Sequence, residues 1–176
     1  MTGTVRVRAL NRIGEPELRG LCDVLIDCVD GGASVSFMYP MTHAKAESFW
    51  SGVAESLARG ERFVLVAEDE QGVCGTVQVV SSLPENQPHR GDVAKMLVHR
   101  RARRRGVGGA LLAAAEAHAL KIGRTLLVLD TVTGGDAERL YERHGWQRCG
   151  EIPRYALFPA GGYCSTTVFY KSLAES

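Results

Sequence analysis

The chain of 176 residues has no apolar run approaching the roughly 20 residues that a helix needs to cross a bilayer. It shows no basic start followed by an apolar stretch. No signal peptide is therefore evident, and the expected compartment is the cytoplasm. It carries little net charge: 21 Lys and Arg against 20 Asp and Glu leave +1, which is not the balance of a general nucleic-acid binder. Its five cysteines, Cys22, Cys28, Cys74, Cys149 and Cys164, are odd in number and form no C-x-x-C pair. That argues against a disulfide framework and against a zinc site, and leaves reduced, mostly buried thiols as the reading. The histidines His43, His89, His99, His118 and His144 lack the Glu/His spacing of a metal centre, so no metal is expected. There is no internal repeat, low-complexity tract or linker.

Hydrophobic residues make up 45% of the chain, enough for a packed core, and the length suits one domain over residues 1–176. Val5 to Leu10 reads as a first strand. Leu18, Leu21, Cys22, Leu25, Ile26 and Val29 recur at helical spacing until Gly31-Gly32 stops them. An irregular loop over 31–38 carries exposed-looking apolar residues. Thr42 opens a second helix with Ala46, Phe49, Trp50, Val53 and Leu57 on one face. Arg62–Glu68 and Val73–Val80 flank a turn at 69–72 and predict a hairpin. Asp92–Val98 is a further strand, and a helix follows from about Val107 to Ile122. Thr125–Leu129 is a continuous apolar run, as in a strand covered on both faces. Ala137 to His144 is a short helix, and Trp146–Ile152 and Cys164–Tyr170 are closing strands. The order β-α-α-β-β-β-α-β-α-β-β predicts an α/β (α+β) fold. Its mixed sheet has about seven strands and about four helices, with a right-handed parallel crossover around 92–129.

Between the strand at 92–98 and the next helix lies Arg103-Arg-Arg-Gly-Val-Gly-Gly109. A bound pyrophosphate needs converging backbone N–H groups, little steric obstruction and the positive end of a helix. Gly106, Gly108 and Gly109 offer close approach where a helix begins and its first N–H groups lack partners. Arg103, Arg104 and Arg105 add charge-assisted donors. A P-loop would need Lys-Ser or Lys-Thr after the glycines, and a dinucleotide fingerprint would need other spacing after the first strand. The arginine run from 100 to 105 also fits a nucleic-acid patch, a targeting signal or a solvated turn.

Arg103-x-x-Gly106-x-Gly108, with Lys95-Met-Leu-Val98 before it and Tyr141 after it, resembles the [QR]-x-x-G-x-[GA] motif of the GNAT superfamily of N-acetyltransferases. The order of elements is similar over nearly the whole chain. The resemblance implies a GNAT-like fold and acetyl-CoA as cosubstrate. Backbone amides from Arg104 to Gly109, Val107 included, would hold the pyrophosphate. Backbone groups of Met96, Leu97 and Val98 would hold the pantetheine arm like an added strand, and the Val98 N–H would face the acetyl carbonyl. Tyr141 would contact the cofactor and protonate the leaving thiolate. Where many members carry an asparagine contacting the cofactor, this chain has Gly134. The run Gly31-Gly-Ala-Ser-Val35, with Phe37-Met38, is similar to a branch that acetylates a β-lactam-containing amino-acid toxin.

Amide formation requires a neutral amine, and a lysine-like amine has a pKa of about 10.4, so a base is needed near pH 7. Asp130, joined to the apolar run before it, is the candidate base or amine anchor, with a helix- or turn-capping role for the 131–135 segment as its alternative. Tyr141 has a core-packing alternative. Ser34, Phe37, Met38 and Tyr155 are candidate acceptor-binding residues, or packing residues. No cysteine has the surroundings of a covalent acyl carrier, so direct transfer to the amine is expected. The expected partner is a small-molecule amine, with no nucleic acid and no membrane, and a homodimer is left open. A protein amine, another metabolite amine, or a non-catalytic acyl-CoA-binding module are the alternatives.

Overall fold

The computed structural model of the protein describes residues 4–173. Residues 1–3 and 174–176, the two ends of the expected 1–176 domain, lie outside the described residues. Seven strands form one sheet: β1 (Arg6–Ala9), β2 (Arg62–Asp69), β3 (Gly72–Val80), β4 (Arg90–Val98), β5 (Leu126–Val132), β6 (Gln147–Leu157) and β7 (Tyr163–Ser172). Four α-helices flank it: α1 (Glu15–Asp30), α2 (His43–Ala58), α3 (Val107–Lys121) and α4 (Asp136–Arg143). The spatial order is β1-β2-β3-β4-β5-β7-β6, antiparallel throughout except for the parallel pair β4–β5. The predicted order of elements and the mixed sheet are both present.

Alternation along the strands sends residues to two cores. Val64, Val66 and Leu97 join Leu21, Leu25 and Trp50 under α1 and α2. Phe63, Leu65, Val77, Val79, Leu127 and Leu129 join Leu111, Leu112 and Ala115 of α3, with Tyr141 of α4 and Trp146 just beyond it. The helix ends follow local chemistry. The Thr42 hydroxyl accepts from Lys45 N at 3.2 Å, a cap that contributes about 1 kcal/mol. After α1, Ala33 N returns to Cys28 O at 3.0 Å through Gly32, which takes the left-handed conformation.

Four details depart from the sequence reading. First, Asp69 and Gly72 pair with each other, so only Glu70 and Gln71 remain as the hairpin loop. Second, β5 is not covered on both faces. Leu127 and Leu129 are buried, whereas Asp130 is exposed within a strand that runs on to Val132. Asp130 therefore caps no helix; the residue preceding α4 is Gly135. Third, β6 runs beyond Ile152, where the sequence reading ends it, to Leu157, through a register jump between Ile152 and Ala156 in which Arg154 is left-handed. Fourth, a short 3-10 turn over Arg100–Ala102 precedes the Arg-Gly segment.

Two irregularities in β4 make the site. Leu97 lies opposite Thr76 and Ala94 opposite Gln78, so Lys95 and Met96 share the space facing Val77 in a β-bulge, with Lys95 at φ 52°. On the other edge, β4 and β5 pair only at Arg90–Leu126, Gly91–Leu127 and Asp92–Val128. Beyond that point both strands continue but diverge, and a gap opens through the sheet between β4 and β5.

Candidate active site

The gap is lined by backbone as well as side chains. His99 N donates to Cys74 O at 2.9 Å, and Val98 is opposite Gly75, so residues along this stretch alternate between bonding β3 and turning away from it. Val98 turns its N–H and C=O away from β3, towards the gap. Its carbonyl accepts from Arg103 Nε at 3.2 Å and from the Cys28 thiol at 3.6 Å, while the N–H remains directed into the opening. Met96 follows in the same alternation. Leu97 does not: its backbone groups face Thr76, and its side chain is buried under α1 and α2. The expectation that Leu97 joins an added-strand contact is corrected on that ground.

The Arg-Gly segment ends at the mouth of this gap. Gly106, at φ 76°, precedes α3 in a left-handed turn that a Cβ would strain, and Arg104 is also left-handed at φ 58°. The first hydrogen bond of the helix is from Ala110 N to Gly106 O, 3.0 Å, so the N–H groups of Val107, Gly108 and Gly109 lie ahead of it at the positive end of α3. Val107 sends its side chain into the core and offers only backbone. Gly108 and Gly109 have a second reason to be glycine. A Cβ on Gly108 would stand 3.0 Å from Leu140 Cδ2, and one on Gly109 would stand 2.9 Å from His144 Nε2. Both glycines admit α4 against α3.

The arginines divide. Arg105 pairs with Asp69 at 3.3 Å, and Arg101 also bonds Asp69, whose side chain is only 6% exposed. The hydrogen bond from Arg101 is the largest influence holding the Asp69 carboxyl below its ordinary range. Arg100 is paired with Asp27 at 2.7 Å. The side chains of Arg100, Arg101 and Arg105 thus tie the segment to α1 and to the β2–β3 hairpin. Arg103 and Arg104 are exposed at the helix start without an ion pair to any described residue. The segment therefore presents helix N–H groups and two exposed arginines as a candidate anion cradle, rather than a continuous basic face. These groups fit the pyrophosphate of a coenzyme A, and the gap between β4 and β5 fits its extended arm.

Tyr141 reaches this region from α4. Its ring is 4% exposed and packs against Trp146 and Phe169, with centroids 5.8 and 6.0 Å away. Its hydroxyl bonds no other described residue. Burial, and then the nearby charge of Asp130, push the phenol well above its ordinary pKa, so Tyr141 stays protonated. Asp130, opposite Val168 in β7, has Oδ2 2.8 Å from the Thr166 hydroxyl and makes no ion pair with a described residue.

The acceptor-side candidates separate. Ser34 donates to Leu157 O at 2.7 Å and lies 3.5 Å from the Cys164 sulfur, stitching the 31–40 loop to the β6–β7 hairpin. Phe37 packs edge-on against Phe49, at 5.4 Å between centroids. Met38 and Tyr155 are 41% and 54% exposed, and only Met38 belongs to the stitched loop. Glu138 and Lys95 were not among the residues expected to line the site. Glu138 is buried, bonds Gly134 N and accepts from Thr167 Oγ1 at 3.1 Å, so it holds the turn after β5 that begins with Thr133. Among the described residues no group of three or more His, Cys, Asp or Glu is placed to hold a metal ion, and no helix is long and apolar enough to cross a membrane.

Comparison with known proteins matches this fold. The chain superposes on an N-acetyltransferase from Staphylococcus aureus Mu50 with a TM-score of 0.79 at 15% identity, covering 97% of this chain and 99% of that one. For yncA from Salmonella typhimurium, solved with its cofactor acetyl-CoA, the values are 0.78, 15%, 98% and 96%. For a ribosomal-protein-alanine N-acetyltransferase from Brucella melitensis they are 0.77, 22%, 95% and 99%. At these identities the likeness establishes the fold. The family model of the acetyltransferase (GNAT) domain matches residues 60–148, from the β2–β3 hairpin through the cradle to the start of β6. The protein belongs to the GNAT acetyltransferases and is an acyltransferase that uses acetyl-CoA as its cosubstrate.

Proposed function

We propose that the protein transfers the acetyl group directly to an amine of a small molecule. The observation that carries this reading is the closure of the acceptor side. Ser34 bonded to Leu157 O and Tyr39 N bonded to Pro159 O, 3.0 Å, join the 31–40 loop to the β6–β7 hairpin. A closed rim admits a compact amine more readily than a threaded polypeptide. The branch resemblance points the same way. Gly31 to Met38, with Lys95, Asp130 and Tyr141, resembles the tabtoxin resistance protein, so an amino-acid-like or β-lactam toxin is the candidate acceptor and detoxification the candidate role.

Acetyl-CoA supplies the acetyl group as a thioester. Asp130 takes the proton of the incoming ammonium, directly or through water, which matters because an amine of pKa about 10.4 is almost wholly charged near pH 7. The Val98 N–H donates to the carbonyl oxygen that gains charge as the nitrogen attacks. As the new N–C bond forms and the C–S bond breaks, Tyr141 gives its proton to the sulfur. The nitrogen sheds its second proton as the C–S bond breaks; through solvent that proton restores the Tyr141 phenol, and Asp130 releases the first one to bulk water. Arg103, Arg104 and the first N–H groups of α3 hold the pyrophosphate throughout.

Release of free thiol from acetyl-CoA, followed with a panel of small amines and N-terminal peptides, tests the reading. Turnover with small amines and little with peptides is expected. Turnover with peptides alone would overturn the acceptor assignment. Tight coenzyme A binding with no thiol released by any amine would mark a binding module instead.

A further inference from the structure

Lys95 has no partner suited to its charge. It sits in the bulge of β4 with a left-handed backbone, on the sheet face covered by α2. Its ammonium donates to the Ser36 hydroxyl at 3.1 Å and lies 5.7 Å from the centre of the Phe49 ring. It makes no ion pair with any described residue. A half-buried ammonium held by one hydroxyl and one ring has lost water without gaining a counter-charge. Burial is the largest influence on it and pulls its pKa below the ordinary lysine value; the charge of Arg62 acts in the same direction, and that of Asp130 opposes it.

Asp130 is the complementary case, an exposed carboxylate with one hydroxyl partner and no cation. The sheet places these two charges at similar height. The last β4–β5 pair is Asp92–Val128, so Lys95 lies three residues past the split on one strand and Asp130 two residues past it on the other. Their faces agree as well. Leu127 and Leu129 point to the α3 core, so Asp130 points to the opposite face, the one on which Lys95 meets Ser36 and Phe49. The cofactor cradle and the Tyr141 ring lie on the α3 side. The acceptor must therefore approach from the face that presents Lys95 and Asp130, two unpaired charges of opposite sign.

We infer that the acceptor carries a carboxylate as well as its amine, and that Lys95, aided by the Ser36 hydroxyl, binds this carboxylate while Asp130 receives the amine. The assignment rests on the small-molecule acetyltransferase reading and narrows it to amino acids and their analogues. Lys95 is then the specificity-determining residue. Before substrate binds, Asp130 is the one carboxylate among the described residues that offsets its charge. A bound carboxylate supplies the missing partner and frees Asp130 for the ammonium.

The test uses matched acceptors: L-methionine with L-methioninamide, L-lysine with L-lysinamide, and β-alanine with β-alaninamide. The amine of an amide is the less basic of each pair. The quantity to read is therefore the acid-to-amide ratio of kcat/KM in the wild type divided by the same ratio in Lys95→Met, which cancels that difference. A fall of the ratio by tenfold or more in Lys95→Met, with most of the preference kept in Lys95→Arg, is expected for at least one pair. A ratio unchanged within twofold for every pair would overturn the assignment, while thiol release with any of the amines would leave the acetyltransferase reading standing. If no pair is turned over, calorimetric titration of the coenzyme A complex with N-acetylmethionine and N-acetylmethioninamide reads the same ratio. Equal affinities for the two, or a preference untouched by Lys95→Met, would overturn it.

Discussion

Replacing Tyr141 by Phe separates a phenol that fills the core from one that gives up a proton. The ring contacts with Trp146 and Phe169 are kept in Phe, and the hydroxyl it loses bonds no described residue. The stability cost is therefore within about 0.5 kcal/mol, or roughly 2 °C in Tm for a domain of this size. A positioned general acid contributes about 10²- to 10⁴-fold. Burial and Asp130 make this phenol a weaker acid than usual, so proton transfer to a thiolate of pKa near 8.5 is more uphill than for a free phenol. The effect should lie at the low end, a fall in kcat of about 10²-fold, or about 2.7 kcal/mol of barrier. Coenzyme A affinity should change little, because the cradle is built from α3 and the arginines. Thiol release, calorimetric coenzyme A binding and a melting curve on the same preparation read the three quantities. An unchanged kcat would refute the acid role. A fall in kcat matched by a fall in Tm of many degrees would assign Tyr141 to the core instead.

Two further perturbations address the cradle. Gly108→Val should force Leu140, and with it α4, away from the start of α3, because even a first methyl would stand 3.0 Å from Leu140 Cδ2. A loss of coenzyme A affinity of tenfold or more and a destabilisation of about 1–3 kcal/mol are expected by calorimetry and denaturant unfolding. Asp69→Asn should release Arg101 and Arg105 together, costing about 2–3 kcal/mol in urea unfolding and weakening coenzyme A binding, since a nearly buried carboxylate is removed from two cations. The Asp69 carboxyl is held below its unfolded value, so its contribution is present above about pH 4 and is lost as pH falls through the depressed folded value. The difference in stability between wild type and Asp69→Asn should accordingly shrink below about pH 4.

Periodicity carried most of the architecture because each element shows one dominant pattern. The α1 face from Leu18 to Val29, the α2 face around Trp50 and the 62–80 hairpin all needed only spacing and a terminating glycine. Where two signals competed, sequence was a poorer guide. The extension of β6 beyond Ile152 was not legible, because it rests on the pairing of Ala156 and Leu157 with β7 across an irregular stretch. The apolar run at 125–129 suggested two covered faces, yet the divergence of β4 leaves the second face of β5 open at Asp130. The Arg103–Gly109 segment reads in sequence as a candidate anion cradle, but no spacing rule says that Arg105 turns to Asp69, or that Gly108 and Gly109 also admit α4. Ser34 was legible as a polar loop residue; its bond to Leu157, 123 positions away in the chain, was not.

The bulge and the split belong to one piece of physics. A regular β4 would present Val98 to a neighbouring strand, and its N–H would be satisfied by β5. The β4–β5 ladder ends at Asp92, and the extra residue inserted at Lys95 and Met96 bends the strand and changes its twist. Val98 thus keeps a directed donor at a place where the sheet has no strand to receive it. A donor left unpaired inside a sheet costs about 1–3 kcal/mol, a cost that a ligand oxygen can offset. The same bulge turns Lys95 towards Ser36 and Phe49 on the acceptor face. One inserted residue therefore sets both the donor proposed to meet the reacting carbonyl and the cation proposed to select the acceptor. Deleting that residue should remove both at once by restoring the regular register, whereas Lys95→Met should remove only the second.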